Sequence, residues 1–358
     1  MEKHDGQEYY TLHEIARVAR ARMPQGPWDY LSGGTETETT LRRNRHALDT
    51  IALRPRVCRD VSEVDTGIEL FGRRLELPVM LAPVGSVETF TAGGGVTAAK
   101  GAARGGVAQM LSCVCNPGLE PVAEAADNLR LYQLYVRGDD SFIDSEVERA
   151  VAHGYCAFAI TVDTAHYSRR ERDLDNRFVK PWRSAATGHA FQKQFTWDNV
   201  KRFKDKHTIP FILKGIMTVE DAAIAAEHGV DAIYVSNHGG RQLDHGLGAM
   251  DVLPDVVKEV GGRAKVFVDG AFMRGTDIVK AMALGASAVG IGRLACLGLA
   301  ADGEDGLVRT LELLQEEVRT AMGLLGVNRY DELSEAYVTK APSMHAPHVL
   351  SAFPLLDR

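Results

Sequence analysis

The chain has 358 residues, 45% of them hydrophobic and 25% charged, with a formal net charge of −7. That balance is ordinary for a globular protein and argues against nucleic acid as a general partner. No apolar run reaches the length that spans a bilayer, so no membrane partner is expected.

The polar start, Met1 to Asp5, lacks the apolar stretch of a signal peptide, and Leu356-Asp357-Arg358 is not a peroxisomal address, so the expected location is cytoplasmic. Leu12–Arg22 has helical periodicity, and Trp28-Asp29-Tyr30-Leu31 runs into Ser32-Gly33-Gly34 and a capping-type Thr35. Residues 1–76 are expected to form a helical cap over one barrel end and a lead-in. Eight short apolar runs follow, rich in β-branched residues: Leu77–Ala82, Ala108–Ser112, Leu131–Val136, Ala157–Thr161, Pro210–Lys214, Ala232–Ser236, Lys265–Asp269 and Ala288–Ile291. Between them lie helical stretches, among them Thr97–Arg104, Ser141–His153, Val219–His228 and Thr276–Leu284, each followed by a glycine suited to a left-handed cap. Repeated strand, helix and glycine predict an α/β fold with a parallel sheet, and eight units close most naturally into a (β/α)8 TIM barrel over residues 77–325. Gly93-Gly94-Gly95 is no dinucleotide fingerprint and reads as a flexible loop ahead of a helix. Thr164 to about Thr208 is the longest connection and a candidate lid. Leu307–Leu324 is a periodic closing helix, and residues 326–358 are a tail. No composition shift divides the chain, which reads as one domain. Its five cysteines lack metal or redox spacing and read as reduced thiols.

Barrel enzymes carry their chemistry at the C-terminal ends of the strands. Here those ends hold Ser112, Gln133 and Tyr135, Thr161 and Asp163, Lys214, Ser236 with Asn237 and His238, Asp269, and Gly292-Arg293. A lone lysine such as Lys214 ordinarily snorkels to solvent, but convergence of so many polar strand ends favours an inward one. In the run Ser236 to Asp244, two glycines let backbone approach a ligand, His238 can act as a base near neutral pH, and Arg241 can grip a carboxylate. The run Ser168 to Asp173 is mostly a solvated face, with Asp163 before it and one of its arginines expected inward. Asp269-Gly270-Ala271 and Gly290-Ile291-Gly292-Arg293 follow strands seven and eight, the usual phosphate-binding corner, where backbone N–H groups and Arg293 would hold a phosphate.

From about Asp29 to Tyr330 the chain resembles the FMN-dependent 2-hydroxy acid oxidases and dehydrogenases: glycolate oxidase, lactate oxidase and monooxygenase, mandelate dehydrogenase and flavocytochrome b2. The motifs that carry the resemblance are Leu41-Arg42-Arg43-Asn44, Tyr132-Gln133-Leu134-Tyr135, Thr161-Val162-Asp163-Thr164, Leu213-Lys214-Gly215-Ile216 and the unbroken Ser236–Asp244 run. It implies oxidation of a small (S)-2-hydroxy acid to the 2-oxo acid, with electrons passed from FMN to O2 or another acceptor, in a homo-oligomer of four or eight chains. His238 would be the base and Asp163 its partner, Arg170 and Arg241 the carboxylate clamp, and Tyr30 and Tyr135 hydrogen-bonding groups. Lys214 would sit at the flavin N1/O2 edge, with Ala82, Pro83, Val84, Gly85, Ser112, Gln133, Thr161 and Ser236 along the ring and ribityl chain.

The sequence departs from the family pattern in three places. Met273 stands where the family's phosphate-contacting arginine is expected, which predicts weaker FMN retention and makes Arg274 a candidate replacement beside Arg293. Gly85 stands where glycolate oxidase has alanine, as in lactate monooxygenase and mandelate dehydrogenase. Val114 replaces the pocket tryptophan of glycolate oxidase and predicts a substrate larger than glycolate, such as the aromatic mandelate. The stretch Phe178–Thr196 lacks the apolar insert of membrane-bound mandelate dehydrogenases. The competing readings are a non-redox FMN isomerase on the same barrel and a non-catalytic binding homologue.

Overall fold

A computed structural model of the chain describes residues 9–182 and 188–356. Eight strands form a closed barrel in which each neighbouring pair is parallel: β1 Val79–Leu81, β2 Ala108–Ser112, β3 Arg130–Leu134, β4 Ala157–Thr161, β5 Phe211–Ile216, β6 Ala232–Val235, β7 Lys265–Asp269 and β8 Ala288–Ile291. Strand β8 returns to β1 through the register Val289 to Val79 and Ile291 to Leu81, which closes the ring. Parallel strands covered on both faces have to be apolar throughout. Accordingly β1, β2, β4, β6 and β8 are buried at every residue. The eight expected runs are the eight strands: Ala108–Ser112, Ala157–Thr161, Lys265–Asp269 and Ala288–Ile291 keep their bounds, and the ends of the others are displaced by at most two residues, where frayed pairing decides the boundary.

The barrel interior is filled by Met80, Met110, Leu131, Ile212, Tyr234 and Phe267, all buried. A hairpin, Ile68–Leu70 paired with Arg73–Leu75, packs Leu70 and Leu75 against the first residues of the strands and closes the N-terminal end. Fully burying a side chain of this size contributes roughly 1.5–3 kcal/mol, so the plug is a substantial part of the core.

The N-terminal segment is helical at Leu12–Arg22, Gln25–Ser32 and Thr39–Asp49. The first of these does not cap a barrel end; it lies along the last long helix, burying Leu12, Ile15, Ala16 and Ala19. Gln25–Ser32 is the helix that reaches the C-terminal mouth. The closing helix also begins earlier than its periodicity indicates, at Arg293, and runs to Leu325 with a non-helical break at Asp302 and Gly303. Its first half is buried on every side from Leu294 to Ala301, so it has no polar stripe to mark it as helix. Gly298 and Gly306 let the two halves pass, since a Cβ on Gly306 would lie 2.2 Å from the Gly298 carbonyl oxygen. Gly94 and Gly95 belong to the first turn of the helix Gly94–Arg104 rather than to a loop, with Gly93 as its left-handed cap.

Candidate functional site

The strand ends, the Gln25–Ser32 helix and the lid segment after β4 enclose a cavity of about 390 Å³ at the C-terminal mouth. His238 enters it two residues past Ser236, in the left-handed region at φ 61°, followed by Gly239 at 65° and Gly240 at 76°. Only the glycines take this conformation freely, so the strained residue is the histidine itself. Gly240 is fixed by proximity as well, because a Cβ there would sit 2.4 Å from Leu41 Cα. The loop is held from outside by reciprocal amide hydrogen bonds between Asn44 and Asn237, both 2.8 Å, and by Asp244, which accepts from the Thr40 and Thr37 backbone N–H groups. Asn44, quoted in the sequence only as part of a motif, is the residue that pins the histidine loop.

His238 Nδ1 lies 3.2 Å from Asp163 Oδ1, and Nε2 lies 3.2 Å from the Tyr135 hydroxyl at the cavity wall. Asp163 itself is behind the histidine, where Gly215 leaves it room: a Cβ on Gly215 would come within 2.8 Å of Asp163 Cβ. Burial holds the imidazole below its ordinary pKa of 6.5; Asp163 opposes this, while Lys214 and Arg170 push in the same direction as burial. A base has to be unprotonated, so a lowered value keeps His238 ready at neutral pH. The expected acid limb of kcat/KM therefore lies below 6.5. Asp163→Asn removes the group that raises the value, moving that limb further down and lowering the plateau, because the imidazolium loses its counter-charge. A pH profile of kcat/KM for both proteins checks this; an acid limb that rises in the variant contradicts it.

Arg241 donates from Nη1 to the backbone carbonyl oxygens of Tyr30 and Gly33, and its Nη2 is buried with no hydrogen-bond partner among the described residues. Its guanidinium lies 4.8 Å from the Tyr30 ring centroid. Arg170 Nε faces Ser168 Oγ at 3.3 Å and the Arg241 carbonyl at 3.4 Å. The Tyr30 hydroxyl donates to the Gly85 carbonyl at 2.8 Å. Burial, then the Arg170 charge, pulls the Arg241 pKa down to about 10, and burial with the Arg241 charge pulls Arg293 down to about 9. Buried cations that depress one another mark a site shaped for anions.

On the opposite wall Lys214 Nζ donates to Ser236 Oγ at 2.6 Å and pairs with Asp269 at 3.1 Å, and Ser236 Oγ donates to Asp269 Oδ1 at 2.7 Å. Ala82, Pro83, Val84 and Gly85 line the cavity after β1, as do Asp269, Gly270 and Ala271 after β7 and Gly292 with Arg293 after β8. Ser112, Gln133, Thr161 and Ser236 are wholly buried at their strand ends rather than on the open wall. Gln133 Nε2 and Thr161 Oγ1 have no partner among the described residues, although Gln133 Oε1 accepts from Ser112 at 2.8 Å. Orphaned donors of this kind fit the hydrogen-bonding edges of a flavin. Arg293 is pre-aimed by the Leu31 and Gly33 carbonyls, each 2.9 Å away, at the start of a helix whose free N–H groups suit a phosphate.

Arg274 is the one expected cofactor residue that the fold turns away. It pairs with Glu317 at 2.6 Å and reaches the Ala352 carbonyl at 3.3 Å. Ala271, Phe272 and Met273 all line the cavity, whereas Arg274, extended just before the helix Gly275–Ala283, is drawn out to Glu317. The sequence reading missed Tyr167, Trp182 and Gln192. Tyr167 and Trp182 line the cavity from the lid, and Gln192 ties the lid down by donating to the Thr161 carbonyl at 2.9 Å and accepting from Val136 N at 2.7 Å. The lid has no periodicity that separates these residues from its solvated charges.

A family profile described as FMN-dependent dehydrogenase matches residues 19–340. The chain belongs to the FMN-dependent dehydrogenase family. It is 35% identical to glycolate oxidase 3 of Arabidopsis thaliana over 96% of this chain and 99% of that protein, and 37% identical to the L-lactate oxidase of Nostoc sp. over 92% and 97%. Among solved structures it is similar to a mandelate oxidase with (S)-2-phenylpropionate, at a TM-score of 0.87 and 38% identity, covering 94% of this chain and all of that one. The chain is thus an FMN-dependent 2-hydroxy acid oxidase by family, with FMN its cofactor, and the isomerase reading is not favoured. Among the described residues no helix is long and apolar enough to cross a membrane.

Proposed function

We propose that this FMN-dependent dehydrogenase oxidises an (S)-2-hydroxy acid with an aryl side chain, of which mandelate is the type, to the 2-oxo acid. The observation that carries the reading is the composition of the cavity: the buried Arg170 and the half-buried Arg241 beside the His238–Asp163 pair, facing a chamber walled by Val84, Phe90, Val114 and Trp182. That chamber can take a ring. A Cβ on Gly85 would come within 2.8 Å of Val114, so the small residues at 85 and 114 together make its space.

In this reading Arg241, through its free Nη2, and Arg170 hold the substrate carboxylate. Tyr135, beside His238 Nε2, holds the hydroxyl oxygen, and Tyr30 completes the carboxylate side. His238 Nε2 takes a proton, from the hydroxyl in a hydride route or from the α-carbon in a carbanion route, and Asp163 stabilises the imidazolium that results. FMN supplies the two-electron acceptor. Lys214 would offset negative charge on its ring, and Arg293 with the backbone of Asp269–Ala271 would hold its phosphate, Met273 contributing no charge. O2 is the acceptor that regenerates the enzyme. The family resemblance supports a tetramer or octamer, and the cytoplasm is proposed as its compartment.

The test is anaerobic addition of glycolate, lactate, mandelate and 4-hydroxymandelate to the purified flavoprotein. The aryl acids are expected to bleach the visible flavin spectrum at lower concentration than glycolate, and air to restore it. Bleaching by glycolate alone would remove the aryl assignment, and a spectrum that none of them changes would remove the hydroxy acid as substrate.

A further inference from the structure

Lys180, on the lid, is 2% exposed yet carries a charge that the clamp, the base and the flavin wall leave unused. Its ammonium pairs with Asp173 at 2.8 Å and donates to the Tyr167 hydroxyl. It lies 4.6 Å from the Tyr30 ring centroid and 5.2 Å from that of Tyr167. These are the two rings that the clamp arginines rest on: Arg241 is 4.8 Å from the Tyr30 centroid, and Arg170 is 5.0 Å from the Tyr167 centroid. Cations and aromatic faces therefore alternate from Arg241 through Tyr30, Lys180 and Tyr167 to Arg170, with Asp173 the one carboxylate paired to the central cation.

Three cations in one buried cluster repel, and the arrangement holds because each has a ring face or a carboxylate against it. The cluster draws on three elements: Tyr30 from the N-terminal segment, Arg241 from the loop after β6, and Tyr167, Arg170, Asp173 and Lys180 from the lid. The strain is visible in both central groups. Burial and the Arg170 charge bring the Lys180 ammonium down to about 8, and the charges of Arg170 and Lys180 outweigh burial to bring the Tyr167 phenol down to about 8.

We infer that Lys180 is the positioning residue of the carboxylate clamp, fixing the ring planes of Tyr30 and Tyr167 and through them the aim of Arg241 and Arg170. The inference rests on the proposed hydroxy acid function for the clamp's role. Lys180 does not line the cavity, so it touches neither the base nor the reacting carbon. Its loss should act on carboxylate binding and leave the chemical step almost alone. Misaiming by about 1 Å is enough for a large loss where geometry is fixed.

Removing the lysine alone strands Asp173, so the decisive variant is the neutral pair Lys180→Met with Asp173→Asn, checked for FMN content and thermal midpoint. Calorimetric titration with benzoylformate reads the clamp without turnover. The double variant is expected to bind benzoylformate about tenfold more weakly than the parent, with KM for the hydroxy acid rising in parallel and kcat within about threefold. Lys180→Arg is expected to recover much of the affinity, since a guanidinium can pair with Asp173 and lie over both rings. A double variant that retains FMN and binds benzoylformate like the parent overturns the inference, as does a fall in kcat with KM unchanged, or a parent that does not bind benzoylformate at all. A parent that binds benzoylformate but is reduced by no hydroxy acid counts instead against the proposed function.

Discussion

His238→Ala is expected to slow anaerobic flavin reduction by an (S)-2-hydroxy acid about 10²–10⁴-fold, the range a positioned general base supplies, while FMN stays bound. No neighbouring group can substitute. The Tyr135 hydroxyl, 3.2 Å from Nε2, has its pKa pushed up by burial and by Asp163, so at neutral pH it is a donor. Lys214 is committed to Ser236 and Asp269. Asp163 sits behind the imidazole and is walled in by Gly215, so in the alanine protein its carboxylate is too far back to reach the substrate. Residue 238 is left-handed at φ 61°, a conformation that histidine takes more readily than alanine, so a modest loss of stability is expected as well, which the thermal midpoint of the variant reads separately. Stopped-flow absorbance of parent and variant, each with its flavin spectrum recorded first, makes the comparison. A variant reduced within about threefold of the parent rate would mean that another group removes the proton.

The barrel was legible in the sequence because parallel strands covered on both faces must be apolar throughout, and because the polar residues that end them break the pattern abruptly. For the same reason His238, Arg241, Lys214 and Asp163 stood out: each follows an apolar run that has no structural use for it. What stayed hidden lacked such contrast. The Leu294–Ala301 half of the closing helix is apolar on every side and shows no period. The plug hairpin has three-residue strands that carry Arg73 and Arg74, and reads as a charged loop. Lys180 and Tyr167 sit among lid residues of similar composition, and only the return of the lid against Tyr30 shows that their charge and ring face inward. Arg274 was misplaced by a single residue. The cavity wall ends at Met273 and the next residue turns out to Glu317, a boundary that composition cannot register.

Asp277→Ala should be the most damaging single change outside the reacting groups, costing about 3–5 kcal/mol, the penalty for breaking a buried ion pair by removing one partner. Asp277 and Arg45 face each other through two hydrogen bonds of 2.8 Å, with side chains 2% and 3% exposed. Burial pushes the Asp277 carboxyl up, but the Arg45 charge and hydrogen bond, the Lys280 charge and the Met273 N–H together hold it below its ordinary value. A lowered carboxyl contributes stability above its unfolded pKa and loses it as pH falls through the folded one, so the contribution is fully present at neutral pH and vanishes only in strong acid. The same carboxylate accepts from Met273 N at 3.0 Å and Arg274 N at 3.1 Å, while Arg45 donates to the Ala271 carbonyl at 3.0 Å. The pair therefore ties the N-terminal segment to the Asp269–Arg274 loop, where Met273 leaves the backbone and Arg293 to hold a phosphate. Two losses are expected together: a lower denaturant midpoint, and easier release of FMN on dialysis. Excess FMN should return part of the midpoint by mass action, because the ligand binds only the folded chain. Unfolding curves with and without added FMN separate the two effects. A variant that unfolds later with FMN but never regains the parent midpoint is the signature of an ion pair that supports the fold as well as the phosphate loop, whereas full recovery would confine its role to the loop.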